Sequence, residues 1–140
     1  MILLDSNVLV AMSDLTDELH SVAISDSEAV AHERMALITP VLAEACYLLR
    51  APRYWARMTY LIESLGIEPF VPANERILWD EAFSWMLRYA EHKPDWVDAC
   101  LAVLCGRDKR LKVWTYDEEF ATIWRRPDGT KIPLAVKKRG

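Results

Sequence analysis

Four acidic side chains stand in apolar surroundings, where a charged group is costly. Asp5 and Asp117 each come shortly after a short apolar run, and Glu44 and Asp98 are each the only charge within the apolar segment that carries them. An unpaired buried carboxylate is destabilising enough to change its protonation state, so such acids are tolerated when they are paired or bind a metal ion. The placement of these four acids therefore indicates chemistry.

The expected chemistry is that of a divalent cation. Asp5 and Asp117 follow predicted strands and would lie on the same rim of a parallel sheet, where ligands bind. Glu44 and Asp98 lie on predicted helices that could face that rim. An all-oxygen ligand set without paired His or Cys suits Mg²⁺ or Mn²⁺ rather than Zn²⁺. Carboxylate-held Mg²⁺ commonly bridges to a phosphate, which points to metal-assisted phosphodiester hydrolysis.

Simpler structural roles stay open for each of these acids. Capping interactions at helix starts are compatible with three pairs: Asp95 with Asp98, Thr115 with Glu118, and Asp5 with Asn7. Glu44 lies five residues after Thr39, beyond capping reach, so its alternative is an ion pair with an arginine. That four such acids occur in one short chain, two of them at strand ends, favours a shared site.

The elements that must position these acids alternate along the chain. Short apolar runs predict strands over residues 1–4, 37–38, 67–71, 111–115 and 131–136. Helical periodicity and cap residues predict helices over residues 8–12, 18–34, 41–49, 53–64, 73–92, 95–105 and 117–123. Strands that alternate with helices predict an α/β fold with a mainly parallel sheet between helical layers.

Size and composition bound the class of protein. The 140 residues, 52% hydrophobic and 27% charged, predict one globular domain over residues 1–140 and exclude intrinsic disorder. Three cysteines without a C-x-x-C pair predict reduced thiols, as in cytoplasmic proteins. We expect no signal peptide, because no basic region precedes an apolar segment at the start of the sequence. We expect no association with a membrane, because no apolar run reaches about 18 residues.

Charge is distributed unevenly. The net charge is −4, yet residues 125–140 hold six basic residues and one acidic residue, so this segment carries +5 and the rest of the chain −9. An acidic body with a basic C-terminal segment is compatible with a metal site beside a phosphate-binding edge, and equally with a solvated end that aids solubility. We expect a last strand followed by a tail in this segment.

Four short motifs occur in the order found in one protein family. The opening Leu4-Asp5-Ser6-Asn7-Val8-Leu9 resembles the D-T-N-V-L start of PIN-domain ribonucleases, with Ser in place of Thr. Three further segments are similar to that family's conserved-acid helix, its D-F-x-D-A segment and its T-x-D-x-x-F segment: residues 41–45, 95–99 and 115–120. The resemblance covers about residues 1–124 and is closest to the VapC-type toxins of toxin–antitoxin pairs.

The resemblance implies a three-layer α/β/α sandwich and cleavage of single-stranded RNA that leaves 5′-phosphate and 3′-hydroxyl ends. It implies a Mg²⁺ site, in which Mn²⁺ can substitute, formed by Asp5, Glu44, Asp98 and Asp117. Asp95 would be an auxiliary acid at the rim, and two polar residues would orient carboxylates or waters: Asn7 and Thr115. A homodimer and a cognate antitoxin protein are the implied partners.

Three other functions stay open. A haloacid-dehalogenase-type phosphatase also begins with a strand and an aspartate, but it needs a second aspartate where this chain has Asn7. A PIN-like module that binds without cleaving would share the fold, although all four acids are present here. A PIN nuclease that processes RNA without an antitoxin is the third alternative.

Overall fold

The first strand lies in the interior of the fold. A computed structural model describes residues 1–137 of the chain. Strand β1 (Ile2–Leu4) is fully buried on both faces, which explains its unbroken run of apolar side chains. The other strands of the described part are β2 (Met35–Leu37), β3 (Glu68–Pro69) and β4 (Lys112–Trp114).

Helices surround this sheet on both sides. Within residues 1–137 they are α1 (Ser6–Ser13), α2 (His20–Ala29), α3 (Thr39–Leu48), α4 (Pro52–Ser64), α5 (Glu75–Arg88), α6 (Trp96–Arg107) and α7 (Glu119–Thr122). All strand pairs between named strands are parallel, and the sheet order is β3-β2-β1-β4. The predicted α/β/α sandwich with a parallel sheet is confirmed.

The sheet order reverses at one point. The chain steps from β1 to β2 to β3 in one direction and then places β4 on the other side of β1. The Asp5 backbone N–H donates to the Trp114 carbonyl at 2.9 Å, which ties the ends of β1 and β4 together. Connections that leave two such strands turn in opposite directions, so a crevice forms outside their carboxyl ends. Asp5 and Asp117, the first and last of the predicted acids along the chain, lie in that crevice.

Two predicted helices are longer than the observed ones. The predicted helix over residues 73–92 is α5 followed by a separate 3₁₀ turn, Ala90–His92. Lys93 then adopts a left-handed conformation with φ 51°, so the chain cannot continue as a helix into Pro94. The predicted helix over residues 18–34 is confined to α2, because the chain leaves the helical region at Val30.

The predicted strand over residues 131–136 is wrong as a strand. Leu134 forms one isolated parallel bridge with Val113. The Val113 N–H donates to the Pro133 carbonyl at 2.9 Å, and the Ala135 N–H donates to the Val113 carbonyl at 2.9 Å. Pro133 has no N–H to extend this ladder, which is one reason that it stops there. The predicted tail continues into residues 138–140, which lie outside the described part of the chain.

The predicted edge position of the strand near residue 68 is confirmed, since β3 lies at one end of the sheet and carries Pro69.

Within residues 1–137, every helix is too short or too polar to cross a bilayer.

Candidate active site

An open pocket of about 220 Å³ lies at the carboxyl ends of β1 and β4. We call it the acidic pocket, and its walls are formed by Asp5, Ser6, Asn7, Val10, Asp17, Leu19, Glu44, Leu48, Asp95, Asp98 and Asp117. Six of these residues are acidic and none is basic. Six of the seven residues predicted from the sequence therefore line one pocket, and its uncompensated negative charge would attract cations.

Asp5 is the most buried of the acids in the acidic pocket, with 4% of its surface exposed. It caps the N-terminus of α1, where Oδ1 accepts a hydrogen bond from the Ser6 backbone N–H at 2.8 Å. Burial raises the pKa of its carboxyl to about 6, with smaller contributions from nearby Asp95 and Glu44, and against the hydrogen bonds that favour the charged form. Asp5 thus both caps α1 and lines the acidic pocket.

Thr115, the seventh predicted residue, does not line the acidic pocket but forms a hydrogen bond with Asp5, which does. The Thr115 hydroxyl donates to Asp5 Oδ2 at 2.7 Å and accepts the Asp117 backbone N–H at 3.0 Å. Asn7 Nδ2 donates to Thr115 Oγ1 at 3.2 Å and to Asp5 Oδ2 at 3.4 Å. This network fixes the orientation of the Asp5 carboxylate and connects the loop after β4 to the start of α1.

Glu44 reaches the acidic pocket from α3 and is half-buried. Ser6 Oγ donates a hydrogen bond of 2.7 Å to Glu44 Oε1. None of the ion pairs among residues 1–137 includes Glu44, so the alternative of an arginine partner is not observed there. Ser6, which departs from the Thr of the motif, still supplies a hydroxyl that holds this acid.

Asp98 and Asp95 form the capping box at the start of α6, as the capping alternative predicted. The Asp98 N–H donates to Asp95 Oδ1 at 2.8 Å, and the Asp95 N–H donates to Asp98 Oδ2 at 3.0 Å. Burial raises the pKa of the Asp98 carboxyl well above its usual range, and the charges of Asp95 and Asp5 add to this effect. Capping therefore does not remove these acids from the pocket, because both also line it.

Asp117 enters the acidic pocket from the loop between β4 and α7. Its Oδ1 accepts the Glu119 backbone N–H at 3.0 Å, within the loop that leads into α7. The Thr115–Glu118 capping pair is not found; instead, Thr115 and Asp117 satisfy the backbone groups of this loop.

Two polar residues of the acidic pocket were not predicted from the sequence as site residues: Ser6 and Asp17. Ser6 stands where the motif has Thr, and its hydroxyl, next to the end of β1, is the sequence feature that could indicate its role. Asp17 lies in the loop between α1 and α2, and its Oδ1 accepts the Leu19 N–H at 2.8 Å. No local pattern indicates that this loop folds back over the pocket.

The lining of the acidic pocket suits a hard divalent cation, since its donors are carboxylate, hydroxyl and amide oxygens without His or Cys. As the side chains are placed, no three His, Cys, Asp or Glu groups among residues 1–137 lie close enough to hold one ion together. Asp98 and Asp117 each turn one oxygen toward a backbone N–H instead. A full ligand set would thus require side-chain rotation within the pocket.

Comparison with known proteins places this geometry in a family. No curated protein sequence matches the chain significantly. The crystal structure of Mycobacterium tuberculosis VapC20, described as a sarcin-ricin loop cleaving toxin, matches with a TM-score of 0.64 and 22% identity over 87% of this chain and 94% of that one. At this identity the match establishes a shared fold. The sequence profile of the PIN domain matches residues 2–124. The chain therefore belongs to the PIN-domain family.

Proposed function

We propose that this protein is a Mg²⁺-dependent endoribonuclease that hydrolyses RNA phosphodiester bonds, with Mn²⁺ able to substitute. The observation that carries the proposal is the acidic pocket: six carboxylates and no basic group, at the point where the sheet order reverses. Membership of the PIN-domain family, whose members are nucleases, supports it.

Asp5, Glu44, Asp98 and Asp117 are the residues that would hold the cation. When bound, such an ion supplies charge neutralisation at the phosphate and makes an attacking water more acidic. Hydrogen bonds from neighbouring side chains orient two of these acids: Thr115 and Asn7 donate to Asp5, and Ser6 donates to Glu44. Asp95 adds negative charge at the rim and anchors Asp98 through the capping box.

The raised pKa values also favour a cation in this pocket. Asp5 and Asp98 are hard to ionise because burial removes water from their carboxylates and other acids stand close by. A positive charge beside them would stabilise the ionised forms and lower their pKa values. Activity should accordingly fall as the pH drops, since protons compete with the cation for the same oxygens.

Cleavage of a mixed RNA pool by wild type and by Asp98→Asn, with Mg²⁺, Mn²⁺ or EDTA, tests this function. Asn keeps the shape of Asp98 and can still accept the Asp95 N–H, so the fold should survive while at least about a hundredfold in rate is lost. Asp80→Asn, an exposed carboxylate outside the acidic pocket, is the matched control and should cut like wild type.

Two results would contradict the proposal: undiminished cutting in excess EDTA, or products that end in a 2′,3′-cyclic phosphate. Water attack predicts 5′-phosphate and 3′-hydroxyl ends. Absence of cutting by folded wild type across several RNA classes would instead favour a PIN module that binds without cleaving.

We further propose that the protein acts in the cytoplasm as the toxin of a toxin–antitoxin pair and forms a homodimer. The shared fold with a cleaving toxin supports this, and so do exposed aromatic side chains on α3 and α4: Tyr47, Trp55 and Tyr60. Expression should arrest growth of a bacterial host, Asp98→Asn should not, and co-expression of a cognate antitoxin should restore growth. Harmless overexpression of an active enzyme would favour an RNA-processing nuclease without an antitoxin.

A further inference from the structure

A run of positive charge lies where α3 ends and α4 begins. The only charged residues between Glu44 and Glu63 are three arginines: Arg50, Arg53 and Arg57. We call residues 47–60, which contain them, the arginine segment. None of the ion pairs among residues 1–137 includes one of these arginines. The arginine segment therefore carries a charge of +3 that no ion pair offsets there, in a protein whose net charge is −4.

Each of the three arginines lies against a tyrosine ring. The guanidinium carbon is 4.7 Å from the ring centroid for Arg50 and Tyr47, 4.4 Å for Arg53 and Tyr54, and 5.6 Å for Arg57 and Tyr60. A ring in this position restrains a guanidinium group without neutralising its charge. One N–H of Arg53 donates to the Tyr54 hydroxyl at 2.8 Å, and Arg50 Nε donates to the Tyr47 carbonyl at 3.2 Å. Because a guanidinium group has five N–H donors, both keep donors for a ligand.

Helix stability does not explain where these charges stand. Arg53 lies in the first turn of α4, where the helix dipole disfavours positive charge. Arg53 and Arg57 are four residues apart on that helix, and like charges at this spacing repel each other. Their placement lowers the stability of α4 while no ligand is bound. A negatively charged ligand would relieve both effects.

The arginine segment begins beside the acidic pocket. Leu48 lines that pocket at the end of α3, and Arg50 follows two residues later. Hydrogen bonds lower the pKa of the Asp14 carboxyl, and the charge of Arg53 lowers it further, so Arg53 stands near the end of α1. The Asp14 carbonyl accepts the Asp17 N–H at 3.0 Å, and Asp17 lines the acidic pocket. Two walls of the pocket thus lead to the start of α4.

The acidic pocket alone would repel most of an RNA strand. Its lining holds six acids and no base. A cation in the pocket neutralises charge at the phosphate that it contacts, whereas the neighbouring phosphates of the strand still face a negative field. A strand that crosses the pocket therefore needs positive charge close by, and the arginine segment offers it.

We infer that the arginine segment binds backbone phosphates of the RNA on one side of the cut, with guanidinium groups donating to phosphate oxygens. The inference rests on the proposed function and extends it, because an RNA would have to reach beyond the cut phosphate to be held firmly. Arg53 and Arg57 are about 6 Å apart along α4, similar to the spacing of successive phosphates in an extended strand. An acidic protein segment is the other polyanion that fits, but the adjoining acidic pocket favours RNA.

A homodimer is compatible with this surface. Trp55 is one of the exposed aromatic side chains on α4 that support the dimer. At 3.6 residues per turn, Trp55 lies about 200° around α4 from Arg53, whereas Arg57 lies about 40° from it. A dimer formed through the side of α4 that carries Trp55 would leave the arginines open to RNA.

The test compares wild type with Arg50→Gln/Arg53→Gln, which removes two exposed charges, and with a triple variant that adds Arg57→Gln. Arg76→Gln, which removes an exposed arginine of α5 outside the acidic pocket, is the matched control. Binding of a labelled single-stranded dodecanucleotide RNA is measured without metal over a series of salt concentrations. Circular dichroism and sedimentation report the fold and the oligomeric state of each protein.

Wild type and Arg76→Gln should bind the RNA with similar affinity and salt dependence. Arg50→Gln/Arg53→Gln should bind it roughly tenfold more weakly at 0.1 M salt. The slope of log affinity against log salt should become shallower by about 1.4 in this variant and by about 2 in the triple variant, because each phosphate contact with a single strand contributes about 0.7. With Mn²⁺, KM for the dodecanucleotide should rise while kcat stays near that of wild type, since the arginines lie outside the acidic pocket.

Equal affinity and equal salt slopes in wild type and folded Arg50→Gln/Arg53→Gln would overturn the inference, and so would a wild type that binds no RNA. Metal-dependent cutting by wild type would in either case leave the proposed function standing. RNA binding that depends on the arginines, without any cutting, would support the inference while the proposed function fails.

Two further results would assign the arginine segment to another partner and overturn the inference. One is competition by polyglutamate as strong as that by RNA of equal charge, which indicates an acidic protein segment. The other is a dimer that dissociates in Arg50→Gln/Arg53→Gln while RNA binding is unchanged, which indicates a subunit interface.

Discussion

At the scale of single residues, Asp5 combines two opposing demands. Its carboxylate caps α1 and accepts from Thr115, yet it is 4% exposed and stands near other acids. Its pKa of about 6, raised from 3.8 mainly by burial, means that the ionised form is strained in the folded protein. A shift of this size corresponds to about 3 kcal/mol of stability at neutral pH. Stability is thus lower than it would be with a neutral side chain here.

Metal-free protein should therefore lose stability as the pH rises. A carboxyl with a raised folded-state pKa stabilises the fold while protonated, and this contribution is lost as the pH passes from about 4 through 6. Between pH 5 and pH 7.5 the Asp5 contribution should fall by about 1–2 kcal/mol. Urea unfolding in EDTA should show a smaller drop for Asp5→Asn than for wild type. Equal drops in both proteins would contradict the assigned pKa.

Thr115 should be needed for its hydroxyl rather than for its volume. Thr115→Val removes the hydroxyl that donates to Asp5 Oδ2 and accepts the Asp117 N–H, and it leaves Asp5 Oδ2 with only the longer bond of 3.4 Å from Asn7 Nδ2. We expect a loss of about 1–3 kcal/mol in unfolding free energy and slower RNA cleavage. Thr115→Ser retains the hydroxyl and should recover most of both quantities. If Thr115→Val and Thr115→Ser cleave equally well, Thr115 does not position Asp5.

At the scale of elements, helix starts and the acidic pocket use the same carboxylates. Asp5 caps α1, the capping box of Asp95 and Asp98 begins α6, and Asp117 accepts a backbone N–H in the loop before α7. Helix N-termini favour negative charge, so each start partly compensates the acid that it places in the pocket. Capping a helix and lining the acidic pocket are therefore compatible roles for the same aspartate.

Substitutions at Asp95 separate its two roles. Asp95→Ala removes the cap of α6 and should lower the unfolding free energy by about 0.5–2 kcal/mol. Asp95→Ser restores a capping oxygen without the charge and should recover the stability but only part of the cleavage rate. Thermal unfolding and initial cleavage rates of the two variants measure these effects. If Asp95→Ser is stable and cleaves RNA as fast as wild type, the only role of Asp95 is to cap α6, and its charge does not contribute to activity.

Element boundaries show where local patterns stop being sufficient. β1 and α4 lie close to the predicted ranges, because buried strands and helices that begin at proline have clear local signals. The strand near the C-terminus failed because apolar residues there predict extended backbone but cannot show that Pro133 interrupts the ladder with β4. Pairing is a property of two segments, so the apolar pattern of one segment alone does not determine it.

At the scale of the whole molecule, the acidic pocket depends on the reversal of sheet order. Residues more than a hundred positions apart, Asp5 and Thr115, meet at 2.7 Å because β4 pairs with β1. Bringing the acids together costs electrostatic free energy that folding of the rest of the core must offset. A cation that binds only the folded state would offset part of this electrostatic free energy.

Mg²⁺ or Mn²⁺ should consequently raise the melting temperature of wild type. At a metal concentration about a hundredfold above the dissociation constant, mass action adds about 2.7 kcal/mol, a shift of several degrees for a domain of this size. Asp5→Asn should respond less, and Glu63→Gln, an exposed acid outside the pocket, should respond like wild type. Thermal unfolding measured at matched ionic strength separates specific metal binding from the general screening of charges by salt. Identical shifts in Asp5→Asn and wild type would contradict the metal assignment.

The sequence by itself determined the residue types and most of the local structure. Acids isolated in apolar segments, strand ends and helix caps are short-range features, so Asp5, Glu44, Asp98 and Asp117 could be selected without coordinates. Their order also indicated the family, because the spacing of motifs along a chain is a linear property. The α/β layer fold with a parallel sheet followed from the alternation of strands and helices, and the three-layer sandwich followed from the resemblance to the family.

The tertiary structure alone decided which residues share a wall. The position of β4 beside β1 and the presence of Asp17 and Leu19 in the wall of the acidic pocket depend on contacts between distant segments. Burial likewise fixed which carboxylates are hard to ionise, since desolvation depends on everything packed around a group. Local sequence carries no direct record of these long-range contacts, because they arise only when the separate elements pack into one core.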